Sequence, residues 1–311
     1  MASPFLWRFV AFTQRHRSRL LAISSVGLFA VNITYHVFPE QTFRALYQGW
    51  YKGQPAELTE NLQNRFQEVL QDLQVRSSTD YTPFAAFGFH PVSAGIPWLP
   101  SGCLIGIPAN YSNTQENGVG IMDRVLMING KEVDWNSEHG TYLQQALHFS
   151  VEAQKFSLAR EVVHAQSNSP VIQAFVAPSC FTGVCLSGVA IKQILGLYSG
   201  PMILRGLLNI GLAVIGLAGY FLSYDAVSQW LDYQSDKKVA SISKAYAHGG
   251  LEFYDKILAR NRTLRYLMGE QGEKVYAPSG NLFPKYSFWL KHAPYTSRRN
   301  RIQHSLQMQK E

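Results

Sequence analysis

The chain has 311 residues, 46% of them hydrophobic, with 28 Lys/Arg against 21 Asp/Glu and a formal net charge of +7. Its three cysteines, Cys103, Cys180 and Cys185, form no CxxC pair, and two fall inside an apolar run, which argues against a disulfide framework or a thiolate copper site. There is no Walker loop, G-x-G-x-x-G or nucleophile elbow, so no cofactor is implied; the Lys/Arg of the tail are mixed with acids, so no nucleic acid is implied either.

Residues 1–19 carry four arginines, Arg8, Arg15, Arg17 and Arg19, and no acid. Two readings stay open: a mitochondrial targeting segment, or the basic flank of a membrane helix. Residues 20–38 hold no charged side chain and form the first predicted transmembrane helix, with Asn32, Thr34 and His36 near its far end. No A-x-A cleavage site follows, which favours an uncleaved anchor. The arginine cluster is expected to stay on the side of synthesis.

Residues 39–170 are read as a soluble α+β region. Phe43, Leu46, Tyr47 and Trp50 recur at helical spacing and suit a membrane interface. Leu58, Leu62, Phe66, Val69, Leu70 and Leu73 form one apolar stripe, the core face of a helix. Prolines 83, 91, 97, 100 and 108 exclude long helices there, and short strands are expected around Phe84–Gly95 and Cys103–Ala109. Asn129-Gly130 between apolar residues predicts a β-hairpin. The string Asp123–Val133 is also similar to part of a PDZ domain, without a carboxylate-binding loop, and the hairpin is the favoured reading. Ser150 is a predicted N-cap for a helix running toward the membrane.

Residues 171–195 and 206–226 are the second and third predicted spans, joined by a turn over 196–205 rich in Gly and Pro. Ser179, Gly183 and Ser187 form a small-xxx-small ridge suited to helix packing, and Pro178 is a predicted kink. The spans are nearly free of ionisable groups, which points to anchoring and packing rather than conduction. Residues 227–311 form a helical basic region, with a predicted break at Gly249-Gly250 and a solvated or membrane-facing basic finish at Arg298, Arg299 and Arg301. Because the hairpin crosses and returns, residues 39–170 and 224–311 share one side. Thirteen acids against eight Lys/Arg in the first, and fourteen Lys/Arg against eight acids in the second, favour their pairing. The strings Asn110-Tyr-Ser and Asn261-Arg-Thr are glycosylation sequons.

Arg160-Glu-Val-Val-His164 differs from the zinc motif H-E-x-x-H in its first ligand. With the hairpin behind it and Asp232-Tyr-Gln-Ser-Asp236 beyond, the layout distantly resembles membrane zinc metalloproteases. In that alternative His164 and Asp232 hold metal and Glu161 is the base. Arg160 opposes it, because a permanent guanidinium repels Zn²⁺, so no metal and no catalytic residue are assigned.

Gln14–Arg17, Phe66–Leu73, Pro91–Gly95, Glu152–Val163, Gly200–Met202, Gly249–Tyr254, Pro278–Asn281, and Lys291–Thr296 with Arg298 and Arg299 occur in order along the chain. Together they resemble the transmembrane protein 177 family. The resemblance implies a mainly α-helical multi-pass protein of the mitochondrial inner membrane with no enzymatic activity. It further implies a role in early maturation of cytochrome c oxidase subunit II, with that subunit's dedicated membrane chaperone, copper metallochaperones of the same pathway, and membrane lipid as partners.

Overall fold

The computed structural model describes residues 4–112, 126–284 and 292–308. Helix α1 (Pro4–Arg15) leads into α2 (Arg17–Val37). The Glu60–Asp72 stripe forms α3; Glu138–Leu147 is α4 and Val151–Gln166 is α5. The two later spans are α6 (Ser169–Ile194) and α7 (Met202–Ala240), followed by α8 (Lys244–Leu267), α9 (Glu270–Val275) and α10 (Tyr295–Met308). The chain divides into two units, one of residues 1–34 and 171–227, the other of residues 35–170 and 228–311.

In the first unit α2, α6 and α7 are each long and apolar enough to cross a membrane. At ~1.5 Å per residue, the 21 residues of α2 already cover a hydrocarbon core. Helix α7 has 39 residues and continues past the predicted span. The turn between α6 and α7 uses Gly196 at φ 61°. Ser25 and Thr182 hydroxyls meet at 3.0 Å and the Phe29 and Phe175 rings at 4.7 Å, joining α2 to α6. Gly188 faces Leu212, and Gly216 faces Val184, joining α6 to α7. Pro178 lies inside α6.

The second unit combines the segments before and after the membrane hairpin. Near its start, Phe43 is buried from a π-helical turn and packs edge-on against Phe84 at 5.7 Å, so it serves a core and not a membrane interface, while Leu46 and Trp50 are exposed. Strands β1 (Trp50–Tyr51) and β2 (Gln54–Pro55) form a small ladder. Strands β3 (Tyr81–Ala86), β4 (Val92–Gly95) and β5 (Cys103–Pro108) form a mixed sheet with β5 central, parallel to β3 and antiparallel to β4. Every residue of β5 is buried, as expected for a strand covered on both faces.

Strands β6 (Met127–Ile128) and β7 (Lys131–Glu132) make the hairpin at Asn129-Gly130, whose φ values of 51° and 74° suit a type I′ turn. Residues 123–125 of the PDZ-like string lie outside the described residues. Helix α3 buries Leu62, Phe66, Val69 and Leu70, the predicted stripe. Helix α5, capped by Ser150, runs through the main core with Phe156, Leu158, Ala159 and Val162 fully buried. It packs on β4, β5, α3 and α8.

One sequence expectation fails here for an identifiable reason, and the sequons gain a structural context. Helix α8 runs unbroken through Gly249-Gly250; the break falls earlier, at 241–243. A Cβ on Gly249 would strike the backbone of Glu152 and Ala153, and one on Gly250 would lie 2.7 Å from the Phe156 ring. These glycines let α8 approach α5 closely, so they are contact residues, not breakers. The sequon asparagines are both interior: Asn110 donates to the Leu147 carbonyl at 3.1 Å and Asn261 to the Gly280 carbonyl at 2.8 Å. Folded, neither is an accessible acceptor.

Candidate functional site: a buried arginine–carboxylate cluster

Helix geometry assembles the site from three elements. On α5, Arg160 and His164 stand one turn apart and Glu161 adjoins them; on α7, Asp232 and Asp236 are also one turn apart. Helix α10 contributes Arg298, which is 2% exposed. The Arg298 guanidinium grips Asp236 in a two-pronged pair, Nε to Oδ2 at 2.6 Å and Nη2 to Oδ1 at 2.8 Å. Its Nη1 lies 3.2 Å from Asp232. Arg160 lies 3.5 Å from Asp232, 3.8 Å from Asp236 and 3.3 Å from Glu161.

Further donors complete the carboxylates. Tyr254 of α8 donates to Asp236 at 2.7 Å, and its ring lies 5.0 Å from the Arg298 guanidinium. Ser93 of β4 donates to Glu161 at 2.6 Å, and the Ala293 amide to Asp232 at 3.3 Å. The half-exposed His292 ring is 3.4 Å from Asp232.

The electrostatics follow from burial and pairing. Burial would discharge Arg298, but the Asp236 and Asp232 carboxylates hold it ionised far above the ordinary range. Burial pushes the Tyr254 hydroxyl well up, which keeps it a donor. Burial also lowers the His164 pKa; Glu161 opposes this and Arg160 reinforces it. His164 is therefore a neutral imidazole, and its Nδ1 is buried with no hydrogen-bond partner.

The residues of the zinc alternative are thus brought together, but they do not fit a metal. Arg160 occupies the first-ligand position and pairs with Asp232, which would have to be a ligand. Glu161 is engaged by Ser93 and Arg160 and is not free to activate water. Among the described residues no group of three or more His, Cys, Asp or Glu is disposed to hold a metal ion. What the arrangement does is join α5, α7 and α10 through two guanidiniums and three carboxylates.

A family model described as transmembrane protein 177 matches residues 111–284. The protein of that name from Xenopus laevis is 68% identical over 98% of this chain and 99% of its own length. The Danio rerio protein is 53% identical over 97% of each chain, and the Homo sapiens protein 47% identical over 97% of this chain and 96% of its own. The chain belongs to the transmembrane protein 177 family. No solved structure matches.

The name of this family states a membrane protein and no reaction, so the chemistry of the site rests on geometry. Sequence reasoning had Asp232, Asp236, Glu161 and His164 in view, but placed Arg298 on a solvated tail, where burial against α7 overturns it. The only signal was indirect: residues 292–308 contain no acid, so a buried arginine there must find its carboxylates elsewhere. Ser93 and Tyr254 carried no signal. Of the proposed packing ridge, Ser179, Gly183 and Ser187 are exposed, and a Cβ on Gly183 would meet nothing within 4 Å. Close approach between α6 and α7 is seen at Gly188, beside Leu212, and at Gly216, beside Val184.

Proposed function

We infer that this member of the transmembrane protein 177 family is a non-enzymatic stabilising partner in the early maturation of cytochrome c oxidase subunit II. It acts with that subunit's dedicated membrane chaperone and the copper metallochaperones of the pathway, in the mitochondrial inner membrane. The family resemblance supplies the client and the compartment. One observation supports a scaffold over a hydrolase: Arg160 and Arg298 neutralise the carboxylates that a metal would need. The arginine-rich N-terminus favours a matrix-facing start. The hairpin crosses and returns, so its two flanking segments share one side, the intermembrane-space side in this orientation, and their membership of one compact unit supports that reading.

The exposed Ser179–Ser187 face of α6 is open to a client helix, and the second unit to a client domain on the same membrane face. Two modest contacts on one partner reinforce each other through effective concentration. Pulse-labelling of mitochondrial translation products tests the reading. Loss of the protein is expected to shorten the lifetime of new subunit II while subunits I and III are made normally. Equal decay of subunit II with and without the protein, and no co-purification, would refute it. About one zinc per chain, lost on His164→Ala, would overturn the non-enzymatic assignment.

A further inference from the structure

Between α2, α6 and α7, within the first unit, lies an elongated recess of about 960 Å³. Its walls are mainly aliphatic, with Leu21, Leu28, Val184 and Leu212 among them. Charge enters at one end alone, from Arg17 and Lys192. Arg17 opens α2 and Lys192 stands two residues before the end of α6. The two helices are antiparallel, so both cations lie at one level, the level of the arginine-rich N-terminal segment.

Arg205, early in α7, sits at that same end, and its Nε is buried with no hydrogen-bond partner. No Asp or Glu occurs in residues 1–39 or 166–224, so the stretches that line the recess offer the cations no carboxylate. Toward the opposite end the lining includes the uncharged polar groups of Asn32 and Tyr220.

The dimensions select the occupant. Along α2 the lining runs from Arg17 to Asn32, roughly 22 Å at the rise of a helix. That exceeds half of a ~30 Å hydrocarbon core, the depth of one leaflet, and leaves room for a headgroup. A recess with a cationic mouth, an aliphatic body and leaflet depth matches one molecule: a phospholipid with an anionic headgroup at the mouth and an acyl chain along the body. Small residues, Ser24, Gly188, Ala213 and Gly216, also line the recess, so a partner helix ~10–12 Å across is the competing occupant, which the cationic mouth does not call for and the experiment below excludes. We propose that this recess is a binding site for an anionic phospholipid, with Arg17 and Lys192 as its headgroup contacts. The site lies wholly in the first unit and does not rest on the function proposed above.

The test uses the full chain in mild detergent, exchanged into nanodiscs holding equal amounts of phosphatidylcholine and an anionic lipid, phosphatidylglycerol or cardiolipin. Lipid retained after re-extraction is counted by native mass spectrometry. The expected result is retention of the anionic lipid at about ten-fold over phosphatidylcholine. R17Q/K192Q is expected to lose that preference without losing helical circular dichroism. R15Q, which removes a nearby charge outside the lining, is expected to keep it. Ala213→Phe, which fills the body of the recess, is expected to reduce retention of both lipids. Glycerol phosphate should not compete, because the acyl chain contributes to binding. Equal retention of the two lipids, an unchanged preference in R17Q/K192Q, competition by glycerol phosphate, or a co-purifying helical protein in place of lipid would each overturn the proposal.

Discussion

Arg298→Met is the substitution from which the buried cluster predicts the largest effect. The wild-type guanidinium makes two hydrogen bonds to Asp236 at 2.6 and 2.8 Å and an ion pair to Asp232 at 3.2 Å, at 2% exposure. Methionine fits the space of the stem but leaves both carboxylates short of a cation. Arg160 remains, but at 3.5 Å from Asp232 and 3.8 Å from Asp236 it does not replace the direct contacts. Breaking one side of a buried pair costs about 3–5 kcal/mol, because the remaining charge stays desolvated. For a unit of this size each kcal/mol moves the melting temperature by about 2–4 °C, so the expected fall is about 6–20 °C.

The assay is thermal unfolding of the detergent-purified chain followed by circular dichroism. A second variant makes the reasoning specific. In Arg298→Met with Asp236→Asn the charge imbalance shrinks, and the double variant should be more stable than the sum of the two single losses implies. Arg298→Lys keeps the charge but cannot reproduce the planar two-pronged grip, and should fall between wild type and Met. A shift of less than about 2 °C for Arg298→Met, or strictly additive losses in the cycle, would refute the cluster as the cross-link of α5, α7 and α10.

Three further outcomes follow from other parts of the fold. Gly249→Ala adds a good helix former to the middle of α8, yet its Cβ meets the Glu152 backbone; unfolding should show a net loss of about 1–2 kcal/mol from overpacking, and a gain would sink the close-approach argument. Burial and the nearby Arg260, Arg160, His292 and Arg298 charges lower the His90 pKa to about 3, so the folded state binds no proton there while the unfolded state does below about 6.5. Stability is unaffected by this group above that pH and is lost as pH falls toward 3, by up to ~1.4 kcal/mol per unit; a pH series on His90→Asn should be shallower in that window. Asn261→Ala should destabilise by about 1–3 kcal/mol by orphaning the Gly280 carbonyl and part of Arg260, and denaturant unfolding measures it.

The elements with a strong period were legible in the sequence. The three apolar runs became α2, α6 and the first part of α7, the Leu62–Leu70 stripe became a buried helix face, and Asn129-Gly130 became a hairpin. What was not legible depends on partners distant in sequence. A glycine pair reads as a break until α5 is placed against α8. A tail arginine reads as solvated until α7 supplies its carboxylates. Likewise, Arg160 argued against a metal from its chemistry alone, but its pairing with Asp232 required the three-dimensional arrangement.

The pairing of the two segments that flank the membrane hairpin has a different physical basis from the one net charge suggests. The acidic excess of residues 39–170 and the basic excess of 224–311 predict a diffuse attraction, screened beyond ~8–10 Å in salt. The contacts that join them are short and mostly not of that sign. Ser150 gives its amide and hydroxyl to Glu252, Tyr246 donates to Asp72, and Lys256 donates to the Gln145 carbonyl. In the cluster, the ion pairs that cross between the segments take their cation from the acidic segment, Arg160, and their carboxylates from the basic one, Asp232 and Asp236. Beneath these lies a common core in which Phe156 of α5 packs with Phe253 and Tyr254 of α8. Core burial and local complementarity therefore fix the two segments together, and raising the ionic strength should leave the second unit's stability nearly unchanged. A drop of several degrees in melting temperature between 0.05 and 0.5 M NaCl would return the net-charge explanation to first place.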